Sequence, residues 1–419
     1  MEKKMKLGKY SIGCGDRFAQ EASAQLAAYE KIAADGVKVV PVWNKSNREH
    51  EIIGTEPPSV RDAAAEAVKA VGWTGEWHVD ADHINLGTVD RYIDSSDFFT
   101  LDVADGIGGS VNEADIEIFL KKHAALMGSP LSINGLSEPL VIDSDRAKAI
   151  ARNYLPAVKD AGKIYRHILK SKGEGNFIAE VSMDETDTPQ GPGELLLILA
   201  AIADEGIPAQ TIAPRFSGRF NKGVEYVGDP KLFAAEFEAD LMVLRHASEA
   251  FGLPENLKLS VHSGSDKFAI YPEIGRLLKK HGAGLHLKTA GTTWLEEIIG
   301  LAEAGGAGLK LAKTVYSEAY LQKEALCKPY AEVINIDYAK LPEPVAVAGW
   351  TSEEYVRALR HDASDELYNI NLRQLIHVGY KVAAKMGSSY LEALSDHRES
   401  VARNVTYNLY ERHLKPLFL

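Results

Sequence analysis

Eight short apolar runs, most of them followed by an amphipathic stretch of helix length, leave this chain few architectures to choose from. The runs are KYSIGCG, VKVVPVW, EWHVDAD, FFTLDVAD, NFIAEVSMDE, PAQTIAPRF, LKLSVHSG and GLHLKTAG. Between them lie helical patterns such as FAQEASAQLAAYEKIAAD, ELLLILAAIADEG and IYPEIGRLLKKHG. Parallel strands need crossovers that cover the sheet, so eight such units in the α/β class predict a (βα)8 TIM-like barrel. A doubly wound open sheet is the alternative, but GCGDRF after the first run lacks the spacing of a dinucleotide-binding fingerprint. Residues 106–175, between the fourth and fifth runs, exceed a plain βα connection and read as a helical insertion. The strand rhythm stops near Lys313, so residues 1–315 are expected to form the barrel and 316–419 a C-terminal helical subdomain.

Composition narrows the function. With 419 residues, 45% of them hydrophobic and 25% charged, the chain has ample core, yet no tract is apolar and long enough to cross a bilayer. The start, MEKKMKLGKYSIG, has lysines without a following apolar segment, so no secretory signal is expected. Only Cys14 and Cys327 occur, which fits a reducing cytoplasm and excludes a disulfide framework. A net charge of −12 disfavours nucleic acid as partner, and a small molecule is the expected ligand.

In a barrel, the chemistry sits where the strands end. Here all eight ends are polar: Cys14, Asp16 and Arg17; Trp43 and Asn44; Asp80, Asp82 and His83; Asp102 and Asp105; Asp184 and Glu185; Arg215; His262, Ser263, Asp266 and Lys267; His286 and Lys288. Taken singly, His262 and His286 read as hydrogen-bonded core histidines. Taken with the carboxylates that end the fifth strand, they form the two-imidazole, one-carboxylate set that binds divalent metals and leaves coordination positions open. Asp184 and Glu185 are adjacent and point opposite ways, so one can be a ligand while the other is free as a base or caps the next helix. Lys267 and Lys288 admit two roles, a Schiff-base amine or a charged donor to substrate. His83 and Asp80 belong to the mouth or to polar packing around it, and Arg215 suits a substrate carboxylate or a neighbouring aspartate.

At these residues the chain resembles the tagaturonate epimerase family, which includes related hexulose 4-epimerases. The resemblance rests on GCGDRF, VDADHI, MDETDTP, IAPRFSGRFNKGVEYVGD, SVHSGSDKF, LHLKTAGTTWLE and LRQLIHVGY, in order over most of the chain. It implies one divalent metal ion (zinc, manganese, iron, cobalt or nickel) held by Glu185, His262 and His286, with Asp184 as proton acceptor. A proton donor is implied in GVEYVGD, where Glu225 is the candidate. Asp16, Arg17, Asp82, His83, Arg215, Asp266, Lys267 and Lys288 are then candidates for binding a ketouronate or ketohexose, and Arg373, Gln374 and His377 for a lid over it.

Inversion at carbon four of a ketose lies one bond beyond the reach of simple deprotonation beside the carbonyl. Retro-aldol cleavage to an enediolate and an aldehyde, followed by attack on the aldehyde's other face, is the expected route. Two rivals remain: a Schiff-base aldolase using Lys288, and a non-catalytic sugar-binding protein on the same scaffold.

Overall fold

The computed structural model describes residues 4–184, 186, 188–289 and 292–419. Eight strands, each hydrogen-bonded in parallel to the next in sequence, close on themselves: β1 Tyr10–Gly15, β2 Val40–Asn44, β3 His78–Ile84, β4 Phe98–Asp102, β5 Ile178–Ser182, β6 Thr211–Ala213, β7 Lys258–His262 and β8 Leu285–Lys288. The (βα)8 barrel read from the sequence is the fold. Its outer ring includes helices Ala22–Ala34, Pro58–Val71, Pro192–Asp204, Pro230–Phe251, Tyr271–His281 and Thr292–Ala304. After β3 the chain makes only a 3-10 turn, Val89–Arg91, before β4.

The long connection between β4 and β5 does two jobs. Its last part, helix Ser144–Lys172, is itself a barrel crossover, burying Ala147, Ile150, Ala151, Tyr154 and Val158 among other apolar side chains. The added part precedes it: helix Glu113–Lys122, capped by Asn112, and an isolated antiparallel bridge between Leu131 and Leu140. Gly106 belongs where it is because a Cβ there would lie 2.9 Å from the Cα of Ala157 on the crossover helix.

Inside the barrel, Leu7, Val40, Val42, Phe98 and Ile178 pack as an apolar plug at the strands' N-terminal ends. Above that plug the lining turns polar, with Ser11, Asp80, Thr100, Glu180, Thr211, Ser260, His286 and Lys288 all buried. Barrel interiors are ordinarily filled by branched apolar residues, so this inversion marks the axis as built for something other than packing. A second apolar core joins helix Thr292–Ala304 to the C-terminal helices, with Trp294, Val315, Tyr316, Leu375 and Tyr380 at its centre. The chain then returns to the barrel wall, where a Cβ at Gly275 would lie 2.8 Å from the carbonyl oxygens of Pro416 and Leu417.

Candidate active site

At the C-terminal ends of the strands lies a cavity of about 380 Å³, closed on one side by the C-terminal helices. On β5 the residues at 178, 180, 182 and 184 alternate with outward ones, which carries Glu180 into the axis and Asp184 to the rim. His262 ends β7 between them: its Nε2 lies 2.9 Å from Glu180 Oε1, and its Nδ1 lies 3.2 Å from Asp184 Oδ1. Glu180 is an acceptor, so Nε2 of His262 carries a proton and Nδ1 is the ring nitrogen turned toward Asp184. That Nδ1 is buried and has no hydrogen-bond partner among the described residues.

His83 reaches the same space by a different device. Side-chain alternation on β3 would send it outward once Asp80 and Asp82 point in. The β3–β4 register shifts between Ala81 and Ile84, and His83 adopts a left-handed backbone, φ 54°. The result places its ring 5.1 Å from that of His262, with Nδ1 2.8 Å from Asp82 Oδ1. Donation to Asp82 leaves Nε2 as the free lone pair. One ligand atom from each of His83, Asp184 and His262 therefore falls within 4.8 Å of the others.

Two imidazoles and a carboxylate, each imidazole backed by a further carboxylate that fixes its tautomer, form a donor set suited to a divalent cation. The local potential agrees. Burial alone would lower the His262 imidazole, but Asp184 and Glu180 outweigh it and raise its pKa to about 10, so without an ion a proton sits on Nδ1 where a cation would displace it.

Lys288 stands behind this set. Its Nζ lies 2.9 Å from Asp80 Oδ2, 3.3 Å from Asp82 Oδ1 and 2.9 Å from Glu180 Oε1. Burial is overcome by these carboxylates, which raise the ammonium well above its ordinary pKa. Conversely, burial would raise Glu180, but Lys288 and His262 hold it well below the usual carboxylate range. Lys288 is thus the shared charged partner of three carboxylates, the arrangement its charged role calls for.

Of the ligands implied by the resemblance, His262 is in the site and Glu185 lies outside the described residues. His286 sits one rung lower, level with Ser260 in the β7–β8 register. Its Nδ1 is 2.9 Å from Ser11 Oγ, its ring rests on Phe98, and burial lowers its pKa to about 3. Among the described residues, the group that comes together is His83, Asp184 and His262.

The substrate-binding candidates divide in two. Arg17, Asp82, His83, Arg215, Lys288 and His377 line the cavity. Asp16 instead accepts the backbone N–H groups of Gln20 and Glu21 at 3.2 and 2.8 Å and holds the turn before helix Ala22–Ala34. Asp266, Lys267, Arg373 and Gln374 are buried in the junction between barrel and C-terminal helices, with their side chains committed to protein. Arg373 donates to Asp266 Oδ2 at 2.8 Å, Lys267 donates to the Asn221 carbonyl at 3.0 Å, and Gln374 pairs with the Asn335 backbone. Glu225 accepts N–H groups from Tyr226 and Ala269 at 2.7 and 3.2 Å, outside the cavity lining.

Three residues matter here that the sequence reading gave no specific task. Glu180 orients His262; Asp102, at the end of β4, lines the cavity with its pKa raised by burial; and Lys222 lines the same cavity. Asp102 is visible in the sequence as a polar strand end and Glu180 as a charge amid the apolar residues of β5, whereas Lys222 leaves no such trace.

Fold and site together define a (βα)8-barrel protein with a cation-compatible histidine–carboxylate centre at its mouth and a helical cap. The family model for tagaturonate epimerase matches residues 2–417. The tagaturonate/fructuronate epimerase of Thermotoga maritima is 29% identical over 390 residues, which cover 90% of this chain and 74% of that relative. The fructuronate-tagaturonate epimerase from Cohnella laeviribosi, solved in native form and with glycerol, shares the fold, with TM-score 0.81 and 23% identity over 99% of this chain and 82% of that one. This chain belongs to the tagaturonate epimerase family.

Proposed function

We propose that this protein interconverts tagaturonate and fructuronate, using one divalent cation held by His83, Asp184 and His262. The observation that carries the reading is the convergence of His83, Asp184 and His262, one ligand atom of each within 4.8 Å of the others, with His83 turned in by its left-handed backbone. Zinc, manganese, iron, cobalt and nickel all suit such ligands. When bound, the ion supplies Lewis-acid polarisation of the substrate's ketone and neighbouring hydroxyl.

The chain's own groups supply the proton transfers. Asp184 Oδ1 accepts from Ser182 Oγ at 2.6 Å, while Oδ2 has no hydrogen-bond partner among the described residues. Asp184 Oδ2 takes the proton from the hydroxyl of the carbon to be inverted, the bond from that carbon to its neighbour on the ketone side breaks, and the electron pair passes into the enediolate. The aldehyde turns, the enediolate attacks its other face, and the new alkoxide takes its proton from Asp102, whose pKa is raised by burial and by the charge of Asp184. The proton held by Asp184 then passes to Asp102 before the next turnover. The C-terminal helices close over the cavity and keep the aldehyde from escaping.

Metal content and epimerisation are measured together. One equivalent of metal per chain with turnover of tagaturonate, both abolished in Asp184→Ala, supports the reading. Ligand binding without turnover would favour the non-catalytic sugar-binding alternative.

A further inference from the structure

Of the five lysine and arginine side chains that line the cavity, two have a carboxylate of the protein beside them. Arg17 Nε lies 2.7 Å from Glu49, and Lys288 is surrounded by three carboxylates. Arg48, Arg215 and Lys222 have no ion-pair partner among the described residues, and of these Lys222 is held by its backbone and by a close glycine. Its backbone N–H donates to the Val333 carbonyl at 2.7 Å, and its side chain lies over Gly264, where a Cβ would come within 3.3 Å of Cδ and 3.5 Å of Nζ. Gly264 has φ 67°, so the close approach and the backbone both call for glycine.

A second, independent feature faces the same wall. His377, on helix Ile370–Val378, is 1% exposed and lines the cavity. Arg17 Nη2 lies 3.5 Å from its Nε2. An arginine only donates, so Nε2 is the acceptor and the ring proton is on Nδ1. That Nδ1 is buried with no partner among the described residues. The wall thus presents an ammonium without a counter-ion and an N–H donor without an acceptor. Arg48 stands at the rim, with its guanidinium 4.7 Å from the Tyr330 ring.

Resting on the epimerase reading above, we propose that Lys222 and the Nδ1–H of His377 form the subsite for the substrate's carboxylate and select an acidic sugar over a neutral one. A carboxylate there satisfies both groups with charge-assisted hydrogen bonds. It also fixes which end of the sugar faces His83, Asp184 and His262, and hence which carbon meets the base. A neutral ketohexose offers a hydroxymethyl group at this position and leaves the Lys222 charge unanswered.

The test uses isothermal titration of the metal-loaded protein with tagaturonate and with tagatose, for wild type, Lys222→Met and Lys222→Arg, beside turnover of both sugars. Wild type is expected to bind tagaturonate at least tenfold more tightly than tagatose. Lys222→Met should remove most of that ratio, and Lys222→Arg should restore part of it. Equal weakening of both sugars by Lys222→Met, or an unchanged ratio, overturns the subsite. Loss of the epimerase reading has a different signature, no product from either sugar, and the binding ratio still decides the subsite in that case.

Discussion

Replacing Lys288 with methionine removes the one ammonium that Asp80, Asp82 and Glu180 share inside the barrel. At an effective dielectric of about 20, a unit pair roughly 3 Å apart is worth about 5 kcal/mol before desolvation. Part of that gain is offset by the cost of burying the ammonium itself. Methionine removes the attraction and leaves the carboxylates buried, a situation that costs about 3–5 kcal/mol when a buried pair loses one partner. The loss has a definite pH dependence. Stripped of Lys288, Glu180 and Asp82 keep only His262 and His83 as partners and Asp80 has burial and mutual repulsion, so their pKa values rise. They take up protons as the pH falls, so the variant should be closer to wild type at pH 5 than at pH 8. Urea unfolding followed by tryptophan fluorescence, with a chelator present, measures both values. Adding Glu180→Gln to Lys288→Met should recover part of the deficit, since it removes one uncompensated charge. A deficit below about 1 kcal/mol at pH 8, or one independent of pH, would refute the argument that these charges sustain one another.

Three further outcomes follow from the same structure. Burial raises the Glu296 carboxyl from 4.5 to about 7, so its contribution to stability is complete below about 4.5 and is lost as the pH rises through 7. Glu296→Gln should therefore stabilise the protein by roughly 3 kcal/mol at pH 8 and flatten the pH 4.5–7 slope, as checked by unfolding at several pH values. Borohydride added during turnover should leave Lys288 unmodified by mass spectrometry; a substrate adduct there would restore the Schiff-base alternative. Asp102→Asn should lower kcat by about 100-fold while retaining full metal content, because general acid–base groups contribute 10²–10⁴-fold.

The barrel was legible because its signals are local. Period-two strands alternate with helical patterns, and the strand ends are polar, as a functional barrel mouth requires. The same period carried more than was used: in β5 the polar residues Glu180, Ser182 and Asp184 share a face, as do Asp80 and Asp82 in β3, so the charged interior was written in the strands. His83 could not be assigned to the cation site in this way, because its orientation depends on a bulge and a left-handed backbone that alternation does not encode. Asp266 and Lys267 follow β7 as plausibly as any mouth residue, yet Arg373, distant in sequence, draws Asp266 into the junction. Lys222 lies in the long connection after β6, where no periodicity points to it.

The central claim is that His83, Asp184 and His262 together hold the ion on which turnover depends. The most direct measurement is metal titration of the chelator-stripped protein, for wild type and for His83→Ala, with epimerisation of tagaturonate followed at each addition. The account predicts saturation at one equivalent, turnover rising in proportion, and at least a 100-fold weaker metal affinity in His83→Ala. Full turnover by the stripped protein, or a His83→Ala variant that binds metal as tightly as wild type, would contradict it.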